Sequence, residues 1–543
     1  MTHWRTPPEV REPTDEALEA IGELEQLKRD LLDGVEEGDE RWMVAQLLDY
    51  HRREAKPIWW AYFARLEMTP AELVDDPDSI GELEHLGAEP LPPPRRSIVH
   101  AFSFPPQEYK LGAGEEVIDP VTGLSAGFIE SIDDEHGRLE LVRGPSLDDV
   151  APPKALIPGG PWDDVIQRKA LRRLASSIRD DDGSYAPLRG ILRRALPQIR
   201  DHESEIQTTD LGEMKRLLSA LDGSHLFIQG PPGSGKTWTG ARLISHLLQE
   251  GGRIGVASTS HKAIHNLLDE IEVAAKEDGV RFWGLKKSTE GNDESVYDSR
   301  HIQSASGIGS FAAPAVNLIA GTAWLFAREE VERAPVDYLF IDEAGQVSLA
   351  DALAMGTCAR NLVFLGDPLQ LAQVTQGTHP PGTGVSVLEH LLGEAQTIPA
   401  DRGVFLERTF RMHPDITAFV SEIVYEGRLR SAEKCARQGT SPGTGLRFIP
   451  VEHVSNRRRS LDEAEAVAGE IGRLLGAEYI DAEGASRPLT ESDFMVVTPY
   501  NEQVRCLRDA LPDDVRVGTV DKFQGQEAPI VFFSMATSSG ANA

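Results

Sequence analysis

The chain is 543 residues long and strongly acidic, with 87 Asp and Glu against 55 Lys and Arg and a formal net charge of −32. That length exceeds one hydrophobic core and, at about 150 residues per domain, points to roughly three or four of them. The charge argues against a protein that coats nucleic acid electrostatically, since such affinity grows from neutralised phosphates, but a locally basic channel inside an acidic exterior is compatible with strand binding.

No run approaches the roughly 20 apolar residues of a membrane span, and the charged, proline-bearing start has no signal-peptide core, so the expected location is the cytoplasm. Cys358, Cys435 and Cys506 are far apart and form no C-x-x-C pair. They read as reduced core thiols, not as a disulfide framework or a metal site.

In chain order, residues 16–32 and 41–66 carry apolar side chains at helical spacing. Trp59, Trp60, Tyr62 and Phe63 in the second run are expected to be core or domain-contact residues rather than a base-stacking platform. Residues 91–96 read as a proline-rich linker, 97–147 as short alternating strands of a small β-barrel or sheet, and 152–161 as a second linker. Asp119 and Glu130 in the β-rich part are expected to be surface acids. Helical patterns follow at 162–178 and 187–196. From 211 onward apolar strand-like runs alternate with helical ones, first at 254–257, 318–321, 338–341 and 362–365, then in a second rhythm at 404–406, 494–497, 517–520 and 530–533. The fold class is α/β, with two parallel-sheet units. The expected domains are a helical region (1–95), a small β-barrel (96–155), a helical connector (156–210) and the two α/β units (211–400 and 401–543).

The first α/β unit holds the most informative segment, Gly230-Pro231-Pro232-Gly233-Ser234-Gly235-Lys236-Thr237, which fits G-x-x-x-x-G-K-[ST] between an apolar strand and a helix. Glycines let backbone N–H groups close on phosphate oxygens, Lys236 brings charge to the outer phosphates, and the Thr237 hydroxyl can ligate Mg²⁺. The strand at 336–341 then delivers Asp342 and Glu343 at its C-terminal end, where open α/β sheets bind ligands. Asp342 suits the metal and Glu343 the attacking water. Another strand ends in Gly366, Asp367 and Gln370, and Gln370 suits the γ-phosphate or that water. In the second unit, Arg411 is a candidate cation for the transferred phosphoryl group, Phe410 for stacking on the base, and His413 for packing at a helix start.

Taken together, Gly230–Thr237, Val256-Ala-Ser-Thr-Ser-His261, Asp342-Glu-Ala-Gly-Gln346, Gly366-Asp-Pro-Leu-Gln370, Thr409-Phe-Arg-Met-His-Pro414, Thr498-Pro-Tyr-Asn-Glu-Gln503 and Val520-Asp-Lys-Phe-Gln-Gly-Gln-Glu527 resemble the superfamily 1 helicases of the up-frameshift type. The resemblance implies tandem RecA-like domains that use ATP and Mg²⁺ and move 5′ to 3′ on a single strand. It gives Lys236, Thr237, Asp342, Glu343, Gln370 and Arg411 the roles above, and puts Gln524, Gly525 and Glu527 in a segment linking nucleotide to strand. It assigns strand contacts to Ser258, Thr259, Ser260, Gly321, Thr322, Thr498, Pro499, Tyr500 and Asn501. Hydroxyls and amides at strand ends suit sugar–phosphate gripping, though serines and threonines there also cap helices.

Residues 48–60, Leu-Asp-Tyr-His-Arg-Arg-Glu-Ala-Lys-Pro-Ile-Trp-Trp, resemble the region before the helicase in bacterial fusions of a RecB-like nuclease to such a helicase. No nuclease carboxylate–lysine set is visible, so the expectation is a monomer without nuclease activity, with a nuclease partner or a nuclease domain elsewhere. DNA is favoured over RNA on that resemblance. Two departures stand out. The family's arginine-rich motif after F-Q-G-x-E is missing, which suggests a fragment, and Glu213 stands where an adenine-reading glutamine is usual, with Gln207 out of register. The alternative function is a nucleotide-dependent nucleic-acid clamp, or a disabled helicase, that binds without unwinding.

Overall fold

The computed structural model describes residues 14–92, 96–133, 136–523 and 525–538. They form two compact units. One takes in residues up to Lys56, then Trp162–Pro231 and Gly235–Glu407; the other takes in Pro57–Pro161, Pro232–Ser234 and the described residues from Arg408 onward.

The first unit is built on a parallel eight-stranded sheet. The strand His225–Gln229, which leads into the phosphate loop, lies beside Ala359–Gly366, and Val336–Ile341 lies on that strand's other side. All three run parallel, so the loop, the acidic pair and Asp367 emerge at one edge. All five residues of His225–Gln229 are buried, as are Leu339, Phe340, Ile341, Val363, Phe364 and Leu365. This is the near-continuous apolar run that a sheet covered on both faces requires. Ile244 and Leu247 of the helix Lys236–Gln249 and Ile264, Leu267 and Leu268 of His261–Asp278 belong to the same core. The amino-terminal helices Asp15–Leu32 and Glu40–Leu47 pack on Val165–Asp180, and the buried Glu40 carboxylate pairs with Arg189 and Arg193.

One strand changes place relative to expectation. Residues 404–406 read as the opening of the second α/β rhythm, but Gly403–Phe405 pairs in parallel with His225–Gln229 as the edge of the first sheet. Val404 and Phe405 are buried there, and the chain enters the second unit at Arg408.

The second unit contains an antiparallel six-stranded sheet and a parallel three-stranded one. The antiparallel sheet begins at Glu84–Pro90, inside the region expected to be helical, and ends with Ile157–Pro158. Backbone bonds between Ile80 and Leu156 and from Leu83 to Lys154 bring its two margins together, giving a barrel-like form. Both expected linkers belong to this sheet. The strand Glu84–Pro90 pairs antiparallel with Ile98–Ser103 and Leu91 N donates to Ser97 O, while 93–95 lie outside the described residues. Within 152–161, Ala155, Leu156 and Ile157 are buried. Prolines mark both segments, but edge strands and turns tolerate proline as readily as linkers do. Asp119 is buried, not a surface acid: its carboxylate accepts from Val121 N and Thr122 Oγ1 and shapes the following turn. The aromatic cluster also departs from expectation. Trp59, Trp60 and Phe63 are all more than 40% exposed, with Trp59 stacked on Phe63 and pressed against Gly160.

The parallel sheet of this unit orders Arg516–Thr519, Phe494–Thr498 and Ile530–Phe533. The helices Leu461–Leu474 and Asn501–Ala510 supply Ile471, Val504 and Leu507 to the core formed with Phe494, Val496 and Val517.

The central strand of the first sheet supports everything at its edge, so Phe340→Ala should cost about 3–5 kcal/mol through cavity formation, read as a fall in the urea midpoint.

Candidate functional site

In the first unit, Gly235 caps the 14-residue helix Lys236–Gln249 with φ +81. Left-handed geometry there turns the chain sharply so that Lys236 and Thr237 open the helix where its N–H groups are unpaired. The Lys236 ammonium lies 3.5 Å from a Glu343 carboxylate oxygen. Glu343 itself has φ +51, unusual for a residue with a Cβ, and its backbone N–H donates to Asp342 Oδ1 at 2.9 Å. Asp342 is buried, and burial first, then the neighbouring Glu343 charge, raises its pKa, with Lys236 opposing. A buried carboxylate beside a second acid and a lysine is suited to a polyvalent cation or to the charge of a phosphate chain.

Gln370 is tied to the same edge. Its Nε2 donates to Asp367 Oδ2 at 3.2 Å, and the other Asp367 oxygen lies 3.4 Å from Gln229 Nε2. Gln229, fully buried at the end of the phosphate-loop strand, also donates to Gln396 O and accepts from Ile398 N. Sequence reading treated Gln229 only as part of a strand. A glutamine as the last residue of an apolar run was the available signal.

In the second unit, Thr409 Oγ1 donates to Pro232 O at 2.9 Å, and Phe410 N donates to Gly233 O at 2.8 Å. A Cβ on Gly233 would meet Arg411 Cβ at 2.3 Å, so glycine is required for this approach as well as for its φ of +73. Ser234 is buried, and its hydroxyl has no partner among the described residues. Arg411 Nε lies 2.5 Å from Glu527 Oε2, and Phe410 is half exposed. His413 caps the helix Pro414–Val424, as its expected packing role requires.

The residues assigned to strand contact divide into two sets. Thr259, Ser260, Pro499 and Asn501 are exposed, and Thr322 and Tyr500 are partly so. Ser258 and Thr498 are buried, so their hydroxyls do not face a strand in this form, and among the described residues both lack a hydrogen-bond partner. Ser260 Oγ accepts from Ala263 N and so also caps its helix. Gly321 is buried at its strand end, and Gly525 is exposed. Gln524 lies outside the described residues. The Gln207 amide is engaged on both sides by the Phe405 backbone, and Glu213 pairs with Arg216.

Two features escaped sequence reading. The Lys286 side chain is fully buried behind the start of the helix His261–Asp278, with its ammonium 3.1 Å from His261 Nδ1 and donating to Lys287 O and Ser295 O. Burial, then the Lys287 charge, pushes its pKa down to about 8; burial and Lys286 push His261 down to about 4. A lysine in a short apolar strand gave no distinct signal. The second is the run Arg457–Arg459, exposed in a loop held where Thr537 Oγ1 donates to Arg457 O and meets Tyr500 OH at 3.2 Å. Arg458 pairs with Glu108, while among the described residues Arg457 and Arg459 form no ion pair. Three consecutive arginines in so acidic a chain were the overlooked sign.

All three cysteines are buried and unpaired, and among the described residues no group of three metal-ligating side chains occurs and no helix is long and apolar enough to cross a membrane.

Two family profiles, each described as an AAA domain, match residues 214–381 and 383–543. The chain is 26% identical over 348 residues to the DNA replication ATP-dependent helicase/nuclease JHS1 of Arabidopsis thaliana, covering 60% of this chain and 25% of that protein. It is 27% identical over 351 residues to the RNA helicase Mov10l1 of Homo sapiens, covering 57% and 28%. Among solved structures, an Arterivirus nonstructural protein 10 helicase aligns over 87% of this chain and 74% of its own, at 14% identity and a TM-score of 0.37. The first unit is a parallel α/β sheet with a phosphate-loop sequence at the end of one strand, and the second unit holds a smaller parallel sheet. The chain is thus similar to helicases of superfamily 1, and its aligned part spans between about a quarter and a third of the length of the first curated relatives.

Lys286 yields a pH prediction. Its folded pKa lies near 8 against 10.5 when free, so between those values the unfolded chain holds a proton that the folded chain has released. Stability from this group therefore rises with pH across that window. Lys286→Met should flatten that rise in urea midpoints measured from about pH 8 to pH 10.5.

Proposed function

We propose that the chain is an ATP-driven motor on single-stranded nucleic acid. The observation that carries this reading is the meeting of Lys236 with Glu343, next to buried Asp342, at the C-terminal edge of a parallel sheet. The Lys236 ammonium faces the Glu343 carboxylate at 3.5 Å. A triphosphate offers Lys236 stronger anionic partners, and the exchange frees Glu343 to accept a proton from water. The water oxygen then bonds to the γ-phosphorus, the bond to the β,γ-bridging oxygen breaks, and ADP leaves with its new charge on that oxygen.

Gln370 orients the attacking water, and Arg411 stabilises the transferred group once it leaves Glu527. Thr237 and Asp342 are the groups suited to Mg²⁺: burial and the Glu343 charge raise the Asp342 carboxyl, and a cation would offset both; the ion would neutralise phosphate charge. Phe410 and the backbone around Glu527 suit the nucleotide's base and its link to the strand. Thr259, Ser260, Thr322, Pro499, Tyr500 and Asn501 suit the sugar–phosphate backbone, with Ser258 and Thr498 requiring local rearrangement to join them.

DNA is the preferred strand and 5′ to 3′ the preferred direction on the resemblance of residues 48–60 and the helicase motifs; the relatives include proteins named for DNA and for RNA. We also expect the protein to act as a monomer in the cytoplasm and to work with a nuclease.

The deciding experiment is ATP turnover by the purified chain with no strand, a homopolymeric dT strand or a homopolymeric U strand. Strand-stimulated turnover is expected, and Lys236→Ala should abolish it while leaving the circular dichroism spectrum unchanged. Strand binding without turnover would instead identify a clamp. If Arg457 and Arg459 each neutralise a phosphate, their joint replacement by Ala should reduce the slope of log affinity against log salt by about 1.4, at roughly 0.7 per contact for single strands.

A further inference from the structure

The motif at the start of the helix Tyr50–Glu67 finds its use against the segment that follows Gln370. From Leu371 to His379 the chain has no regular secondary structure, so its position depends on what its polar groups bind. The Glu54 carboxylate accepts from Gln376 N through one oxygen and from Gly377 N through the other, each at 2.9 Å, and lies 2.5 Å from His379 Nε2. The Tyr50 ring stacks on the His379 imidazole with centroids 4.6 Å apart, and its hydroxyl accepts from Gln373 Nε2. Gly377 packs so closely that a Cβ would stand 2.5 Å from Arg53 O. One position along the helix, His51 Nε2 meets Asp351 Oδ1 at 2.9 Å, on the helix Leu349–Gly356 just beyond the acidic turn.

We propose that Tyr50 and Glu54 are positioning residues for nucleotide hydrolysis: they fix residues 371–379 and thereby hold Gln370 where it can orient the attacking water. This rests on the reading of Gln370 as the residue that orients the attacking water. Three acceptor contacts on one carboxylate, a stacked ring and a glycine at the point of closest approach specify the loop's path, whereas a tether for the amino-terminal helices would need only one of them. Gln370 follows Asp367 by three residues and is bonded to it, so a shift of the loop is passed to the water-orienting amide. The amino-terminal region thus becomes part of the hydrolytic apparatus without touching the nucleotide.

The test is ATP turnover by the full chain at saturating dT strand, with kcat and KM separated and folding checked by thermal melting. Glu54→Ala is expected to lower kcat about tenfold, about 1.4 kcal/mol on the barrier, while KM for ATP stays within about twofold. Glu54→Gln, which keeps one acceptor oxygen, should fall between the two. Gln373→Ala alters the loop side alone and should lower kcat in the same direction, which keeps the test decisive if Glu54→Ala does not fold. Wild-type kcat in folded Glu54→Ala or, failing that, in Gln373→Ala overturns the proposal, as does a loss confined to KM or to melting temperature. A wild-type chain without strand-stimulated turnover would overturn the motor reading itself, an outcome distinct from an active wild type whose variants match it.

Discussion

The ion pair of Lys236 with Glu343 governs the first unit, because neither charge is placed at the end of a buried strand without cost. A desolvated ammonium or carboxylate is stable only when paired and hydrogen-bonded. The parallel sheet makes pairing possible: the phosphate-loop and acidic strands flank a common neighbour, and their ends open side by side. The left-handed backbone of Glu343 carries strain of about 1–3 kcal/mol, which persists only where packing over-determines it. Gly345 supplies that constraint, since a Cβ there would stand 2.8 Å from Asp367 O. The turn that aims Glu343 is thus clamped against the strand end that presents Asp367.

Asp367 in turn is a shared acceptor. Gln229 approaches one of its oxygens and Gln370 the other, so the end of the phosphate-loop strand and the candidate water-orienting amide are linked through a single carboxylate. A short, buried network of this kind transmits displacement better than an exposed one, because the alternative to each contact is an unpaired polar group in a low dielectric. The amino-terminal helix fastens the next few residues of the same segment. From Gln229 to Glu54, a continuous set of contacts surrounds Gln370 without any of its members needing to meet the nucleotide.

Much of this was legible in the sequence because the chemistry fixes its own spacing. A phosphate loop needs glycines at set offsets from Lys236, and a strand that carries Asp342 to a ligand edge must be apolar throughout. The elements that were misread share a different property: their local signals are common to two structures. Proline at 91–96 and 152–161 fits a linker, but also a hairpin and an edge strand. The run at 404–406 fits either sheet, and only its pairing with His225–Gln229 assigns it. Helical spacing around Trp59 and Phe63 indicates a helix, not what covers its face. Lys286 illustrates the limit most clearly. Nothing in a four-residue strand announces that a charged side chain will be buried against a histidine and two carbonyls contributed by residues up to 25 positions away.

The net charge of −32 bears on how such a protein could hold a polyanion. Several arginines of the first unit are already paired, as Arg173 is with Glu332, Arg189 with Glu40 and Arg242 with Glu277. Their charge is spent on structure and adds little to the field outside. Within the Debye length of about 8 Å the acidic exterior repels a strand, and added salt shortens the reach of that repulsion. At contact the balance reverses, because each arginine that meets a phosphate releases a counterion and salt then opposes binding. Arg457 and Arg459, exposed and without an ion pair among the described residues, would under the proposed strand binding act at contact rather than at a distance.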